Sequence, residues 1–264
     1  MELDARLLAE QRNLIKERDL LLAEAKVFAD QRKTGDTESR RTAGKEATRL
    51  RRLAQQMCDE LEQITVALDL LGHIIASLNR RQEMAHYHYS NWLEVEEKGV
   101  YAAKAFQKLG GDGYVNAIKF NAEVLAFLQN VHAICDSFPF ALNLYLRSCD
   151  FGSRSIGWNE KTMEAFRLST ATSGEIELFN RVERFFADEV FLTLQGIVNC
   201  AKHKHLVPIY FNGTKTVFGK LDGKSGHSDL VVKEVMIKVH DVLLPLLIEM
   251  LRLVSADDQA EFSG

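Results

Sequence analysis

The sequence contains few of the residues that interrupt helices. Only 3 of its 264 residues are proline and 16 are glycine. Proline removes a backbone donor and glycine weakens a helix, so their scarcity favours long helices over a fold with many turns. Hydrophobic residues make up 46% of the chain and charged residues 27%, as in an ordinary globular protein.

Several sequence motifs that would indicate a particular class of function are also missing. The four cysteines form no Cys-x-x-Cys pair, so we expect neither a disulfide framework nor a zinc ribbon, but thiols in a reducing cytoplasm. No phosphate-binding glycine loop, dinucleotide fingerprint or nucleophile elbow occurs, and we expect no cofactor. The N-terminus does not resemble a signal peptide and no run of eighteen apolar residues occurs, so we expect no membrane contact.

The charge of the chain is close to balanced. With 33 Lys and Arg against 37 Asp and Glu, the net charge of −4 does not fit a globally basic nucleic-acid binder, although it allows a local patch. Arg41, Lys45, Arg49 and Arg52 lie 4, 4 and 3 residues apart and predict one exposed basic stripe. Such a stripe either follows phosphates or is the solvated outer face of a helix.

Two long helices are predicted at the N-terminal end. In residues 3–31, apolar residues recur every seven positions, and a second row beside them (Leu8, Ile15, Leu22) widens the apolar stripe. A polar stretch, Arg32–Lys45, predicts a turn or flexible connection. Residues 46–90 then form a second helix. Its apolar residues are Leu50, Ala54, Met57, Leu61, Ile64, Leu68, Leu71, Ile75 and Leu78.

The apolar residues of this second helix are spaced alternately 4 and 3 apart, which is the repeat of a coiled coil. The simplest architecture folds helix 3–31 back on helix 46–90 as a long antiparallel hairpin. The alternative is a parallel dimer through the seam at residues 50–78. The wide stripe of the first helix favours the hairpin, since that helix needs a partner.

A glycine-rich turn, Gly110–Gly113, predicts the end of this coiled-coil region and divides the chain into residues 1–110 and 114–256. In the second part we predict a helix from Tyr114 to Phe138, where Pro139 should stop or kink it, with helical continuation to about Cys149. A loop at 151–162 and a short helix at 163–168 follow.

The remaining predicted elements are a long helix at 174–201 and a β-hairpin near 207–221. The hairpin is predicted because Asn-Gly separates two β-rich runs. A polar loop at 221–229 comes next, and Asp229 should cap a last helix at about 230–255. The predicted fold is therefore mainly α: an antiparallel coiled-coil hairpin followed by a helical bundle with one small β-hairpin insertion.

The first candidate site is "RRQEMAHYH", residues 80–88. Its arginines and histidines resemble the R-x4–6-H signature of the HEPN family, helical proteins that include metal-independent ribonucleases. The resemblance implies that Arg81 holds a phosphate and His86 moves a proton, as in a toxin or defence effector. The family commonly has Asn, Asp or His after the arginine, and Gln82 matches this pattern only in part. A solvated helix surface explains the same residues without catalysis.

The second candidate site is formed by Asn199, Lys202 and His203, which share one face at the end of the 174–201 helix. They could bind an anion, together with His205. Basic residues in the last turn of a helix also complement its dipole without any ligand. The string around them is similar to segments of uncharacterised bacterial helical proteins, some of them HEPN-like. No histidine spacing fits a metal site, so none is expected.

The leading prediction for function is an interaction protein. Its coiled coil would mediate self-association or bind a protein partner through the 50–78 seam, with the bundle as a recognition module in a bacterial defence or stress system. The alternative prediction is a HEPN-like, metal-independent ribonuclease that uses Arg81 and His86, which makes RNA a possible partner.

Overall fold

A computed structural model describes residues 5–97, 111–148, 156–203, 207–212, 214–221 and 227–256. The chain divides into two compact units, residues 1–73 with 254–264, and residues 74–253. The boundary predicted near residues 110–114 adjoins residues 98–110, which lie outside the described part, and it stays a prediction.

Two helices joined by a two-residue turn form the N-terminal region. α1 spans Ala5–Thr34 and α2 spans Thr37–Glu97, so the turn predicted within the polar stretch 32–45 is present at residues 35–36, and the rest of the stretch is helical. The turn is stabilised locally. Asp36 accepts a hydrogen bond from the Ser39 backbone N–H at 2.8 Å, which satisfies a donor at the start of α2. Arg40 Nε donates to the carbonyl of Gly35 at 2.5 Å.

α1 and α2 run antiparallel within the first unit, as predicted. Leu7 near the start of α1 forms a buried cluster with Ile64 and Leu68 of α2. At the other end of α1, the Arg32 side chain lies over Gly44. Partner numbers in α2 thus fall as numbers in α1 rise, which defines an antiparallel hairpin.

The predicted apolar seam of α2 faces inward along its length. Leu50, Ala54, Leu61, Ile64, Leu68, Leu71 and Leu78 are buried, whereas Met57 and Ile75 are half-buried. Burial therefore follows the 3.5-residue repeat that the sequence predicts. Whether the two helices supercoil stays a prediction.

The second unit is organised around α3, which spans Gly111–Leu146 and contains Pro139. Pro139 does not stop the helix, contrary to one of the two predicted outcomes. Proline has no N–H to bond the carbonyl four residues earlier, which is that of Cys135. The indole of Trp158 donates to this carbonyl at 2.8 Å and replaces the missing bond.

Trp158 is also the centre of an aromatic cluster in the second unit. Its ring is stacked on Phe138 and Phe186 at centroid distances of 6.1 and 5.5 Å. Phe185 and Phe191 contact the same ring at 5.6 and 5.5 Å. These rings tie α3 to α5 (Ser173–Phe186) and α6 (Glu189–His203), and Trp158 itself lies just before α4 (Glu160–Ser169).

The long helix predicted at 174–201 is two helices, α5 and α6, so that prediction is wrong. Asp188 lies between them and accepts hydrogen bonds from the backbone N–H groups of Val190 and Phe191, at 2.7 and 3.3 Å. It thereby caps α6 and starts a new helix. α5 begins with a capping box formed by Thr172 and Glu175.

A three-stranded antiparallel sheet follows α6. β1 (Ile209–Phe211) and β2 (Thr216–Gly219) form the predicted hairpin, with Tyr210 opposite Val217. β3 (His227–Val231) pairs with β2 and was not predicted, because its polar residues suggested a loop. Asp229 lies in β3, and Val231 precedes the next helix without a side-chain cap, so the predicted capping by Asp229 is wrong.

The last predicted helix is present but has three parts. α7 (Val232–Lys238) leads into a π-helical turn (Val239–Leu243), and α8 (Leu244–Ala256) completes it. A π-helical turn widens the helix by one residue and often marks a functional position.

Candidate functional site

The predicted catalytic pair, Arg81 and His86, is not brought together by α2. Arg81 is half-buried, whereas His86 is exposed. Five residues of an α-helix turn by about 140° beyond a full circle, so the two side chains leave α2 in different directions. Arg81 instead shares a face with His88, which forms a 2.7 Å contact with Glu123 of α3.

His86 contacts a second histidine on the π-helical turn. Its Nδ1 lies 3.1 Å from Nε2 of His240, and Nδ1 of His240 lies 2.5 Å from Asp241. A neutral His240 that donates from Nδ1 to Asp241 must accept at Nε2, so His86 donates from its own Nδ1. This leaves Nε2 as the unprotonated nitrogen on the exposed imidazole of His86.

Aromatic rings hold this histidine pair in place. Tyr89 of α2 stacks on His240, with ring centroids 3.7 Å apart and planes within 7°. Phe127 of α3 contacts the same imidazole at 6.3 Å. The π-helical turn positions His240, and stacking on Tyr89 fixes the plane of its imidazole. The orientation of His240 towards His86 is therefore held by both contacts.

Burial and neighbouring charge adjust the proton affinities here. Burial lowers the pKa of His86 below its ordinary value of 6.5, and the nearby His240 lowers it further. Burial also raises the pKa of the Tyr89 hydroxyl, with a contribution from Asp241. A neutral, exposed imidazole backed by a second imidazole and a carboxylate can accept a proton near pH 7.

Of the second predicted site, Asn199, Lys202 and His203, the described part of the structure brings only Lys202 into contact with side chains of another helix. Lys202 reaches α3, where its Nζ lies 3.3 Å from His132 Nδ1 and 3.4 Å from Asp136. Asn199 and His203 are exposed on α6, and Lys202 and His203 occupy its last turn. His205 lies outside the described residues.

His132 is the buried member of this second cluster. Its side chain is 2% exposed, and Nδ1 lies 3.0 Å from Asp136. The same Nδ1 cannot donate to Asp136 and accept from Lys202 at once, so one of these contacts is electrostatic only. Among the residues that the structure describes, Nε2 of His132 has no hydrogen-bond partner, which leaves this ring nitrogen buried and unsatisfied.

His240, Asp241, His132 and Asp136 were not among the predicted site residues. The spacing of His132 and Asp136 is i, i+4 on one helix, a signal that the sequence does carry. The pairing of His86 with His240 joins residues 154 positions apart, and no local pattern could reveal it.

A surface of a different kind lies on the hairpin. α2 packs against the row of α1 that includes Leu7. The neighbouring row consists of Leu8, Ile15 and Leu22, and we call it the outer stripe. It is only partly covered. Leu8 is half-buried, and Ile15 and Leu22 are 37% and 45% exposed. Leu8 packs against the buried cluster that contains Leu7, so within the described part of the chain the wide stripe leaves Ile15 and Leu22 exposed.

α2 is also apolar beyond what its burial accounts for. It contains an 18-residue window with a mean hydropathy of 1.4, of which 28% is buried. By length and composition alone, this is the one helix among the described residues that could cross a membrane. Soluble core helices pass the same test, so the finding is weak evidence for a membrane span.

Each unit has a cavity with charged residues in its lining. A cavity of about 510 Å³ in the second unit is lined by residues of α5 and α8, including Arg181, Phe185 and Glu249. A cavity of about 400 Å³ at the turn of the hairpin is lined by Arg32, Arg40, Arg41, Gly44, Lys45 and Thr48. Within the described ranges, no three His, Cys, Asp or Glu residues are grouped so that they could hold a metal ion.

Comparisons of the chain with protein-family models, with curated proteins and with solved structures gave no match.

Proposed function

We propose that this chain is a self-associating interaction protein, in which two copies pack against each other through their outer stripes. The observation that carries the proposal is the exposure of Ile15 and Leu22 beside an apolar row whose members are buried or half-buried. A row of apolar residues seven apart fits the groove of another helix.

The outer stripe is self-complementary. Leu8 and Leu22 lie seven residues on either side of Ile15. If two copies meet antiparallel around a two-fold axis at Ile15, then Leu8 of each copy faces Leu22 of the other. Isologous contacts of this kind are the commonest way in which proteins form dimers.

Charged residues beside the stripe suit the same arrangement. In the two-fold register, Arg12 of one copy is expected to lie near Asp19 of the other, and the pair occurs twice. Ion pairs that flank an apolar seam select its partner and orientation. They also favour a protein partner over a lipid bilayer, which has no polar groups to accept Arg12 and Asp19 at acyl-chain depth.

Self-association directly through the 50–78 seam would require the hairpin to open. Leu7 of α1 contacts Ile64 and Leu68, so a second copy could reach those residues only by displacing α1. Pairing through the outer stripe keeps the hairpin intact, which makes it the better route to the predicted oligomer.

The proposal is tested by measuring the molar mass of the purified protein by light scattering. Wild type is expected at about twice the chain mass of 29.9 kDa. Ile15→Asp should give the single-chain mass, because it places two carboxylates at the two-fold axis and removes the apolar burial that the exposed part of Ile15 would gain.

The matched control is Leu20→Asp on the same helix. Leu20 is 70% exposed and lies outside the outer stripe, so this variant should keep the wild-type mass. A single-chain mass for wild type, or an equal effect of both substitutions, would reject the proposal.

A second candidate function is metal-independent ribonuclease activity at His86, as the HEPN resemblance implies. The contact of His86 with His240, which in turn contacts Asp241, favours it, since two imidazoles could share the roles of base and acid. Cleavage of RNA in the presence of a chelator should then be lost in both His86→Ala and His240→Ala. Cleavage that survives His86→Ala, or wild type without activity, argues against this candidate.

A further inference from the structure

The most basic part of the chain is the turn of the hairpin. Residues 31–52 contain eight Lys and Arg against three Asp and Glu, although the whole chain has a net charge of −4. These residues include the last turn of α1 and the first four turns of α2. The two-residue connection brings both groups to the same end of the hairpin.

The basic residues surround a cavity of about 400 Å³ instead of spreading evenly over the surface. Arg32 of α1 and Arg40, Arg41 and Lys45 of α2 contribute to its lining, and no carboxylate does. We call these four side chains the basic pocket. Four positive charges around one shallow, open depression produce a positive local potential.

The arginines of the basic pocket are placed by backbone contacts. Arg40 is held through Nε, which donates to the carbonyl of Gly35, so its terminal N–H groups stay available. Arg32 lies against Gly44, where an added Cβ would come within 3.3 Å of its Cδ and Nε. Glycine inside a helix has an energetic cost, and the close approach of Arg32 gives a reason for it here.

Acidic neighbours leave the pocket largely uncompensated. Glu38 approaches Arg41 only at 3.8 Å between exposed side chains, which is a weak ion pair. The carboxylate of Asp36 is occupied by the backbone N–H of Ser39. Arg32 and Lys45 have no ion pair within the part of the chain that the structure describes.

We propose that the basic pocket binds a compact anionic group made of adjacent phosphates. Guanidinium groups bind phosphate oxygens in pairs, and four cations match the charge of a di- or triphosphate. Residues 31–52 are all described, and none is aromatic, so bases of a single strand would have nothing to stack on. None of them exposes a large apolar side chain that could enter a bilayer.

The probe for this proposal is inorganic tripolyphosphate, titrated into the full-length protein and followed by calorimetry. Wild type should bind it, and binding should weaken as salt rises. The double variant Arg32→Gln/Lys45→Gln should bind at least about tenfold more weakly, since two charge-assisted contacts are removed.

The control double variant is Arg51→Gln/Arg52→Gln, which removes the same charge from α2 outside the cavity lining. Its affinity should stay close to that of wild type. Equal losses in the two double variants would show that only overall charge matters, and this would overturn the proposal. Wild type that binds tripolyphosphate no better than sulfate at equal ionic strength would overturn it as well.

Two further measurements identify the source of the phosphates. Binding of vesicles that carry phosphatidylinositol bisphosphate, lost in Arg32→Gln/Lys45→Gln, would place the group on a lipid headgroup. Binding of tripolyphosphate by a protein that does not bind these vesicles would indicate a soluble ligand. If duplex RNA binds while tripolyphosphate does not, the pocket recognises a nucleic-acid backbone and the proposal fails. The molar mass of the variants should equal that of wild type. Loss of tripolyphosphate binding can then be distinguished from loss of self-association.

Discussion

The hairpin and the second unit build their cores in different ways. Phe28 is the only aromatic residue among residues 5–73, and the buried seam there is aliphatic. The second unit relies on rings, with Phe138, Phe185 and Phe191 around Trp158. A repeated aliphatic core distributes stability along a helix, whereas an aromatic cluster concentrates it at one place.

The largest effect is expected in the aromatic cluster. Phe191 is completely buried and contacts Trp158, so Phe191→Ala should lower the free energy of unfolding by about 3–5 kcal/mol. Urea unfolding followed by circular dichroism measures this. The neighbouring Leu192 is half exposed, and Leu192→Ala should change stability by less than about 1 kcal/mol. Similar losses in the two variants would contradict a concentrated core.

A smaller loss is expected in the hairpin. Ile64 is completely buried against Leu7 and Leu68, and Ile64→Ala should cost about 2–3 kcal/mol. Val66 on the same helix is 58% exposed, so Val66→Ala serves as the control. If Ile64→Ala lowers the free energy of unfolding more than Phe191→Ala does, the expected order of the hairpin and the aromatic cluster is contradicted.

The hydrogen bond at Pro139 gives a sharper test of the aromatic cluster. Trp158→Phe keeps a ring but removes the donor to the carbonyl of Cys135, which should cost about 1–3 kcal/mol. In a Pro139→Ala background, the alanine N–H can bond this carbonyl. The cost of Trp158→Phe should then fall clearly in the same unfolding measurement. An unchanged cost would mean that ring contacts alone explain the effect.

The smallest expected effect concerns pH. The folded-state pKa of His86 lies below its ordinary value of 6.5 because of burial and the adjacent His240. The folded protein therefore binds fewer protons than the unfolded chain near this pH. The associated stability is complete above pH 6.5 and is lost as pH falls through the folded-state pKa. The urea midpoint of unfolding should be lower at pH 5.5 than at pH 7.5, and it should fall less for His86→Gln than for wild type. An equal loss would exclude His86 as the cause.

Sequence periodicity predicts the hairpin better than the second unit for a physical reason. The seam from Leu50 to Leu78 repeats, so its burial follows from spacing alone. The end of α5 depends instead on one capping residue, Asp188, and α3 continues through Pro139 because a distant indole replaces a backbone donor. Such single contacts leave no periodic trace in the sequence.

The candidate sites show the same contrast. Lys202 was predicted and does meet two side chains of α3, because one helix face at the end of α6 can be deduced from spacing. His240 could not be paired with His86, since their contact depends on how α2 packs against the π-helical turn. The basic stripe of α2 was predicted, but the contribution of Arg32 to the pocket requires the tight turn at Gly35.

The two-fold register of the outer stripe can be tested most directly by cross-linking. In a Cys58→Ala background, Ile15→Cys places one thiol from each copy at the two-fold axis. Mild oxidation should then convert the protein to a disulfide-linked dimer that reducing agent reverses. Leu20→Cys on another face of α1 should remain a single chain under the same conditions. Equal cross-linking of the two variants, or none for Ile15→Cys, would contradict self-association through this stripe.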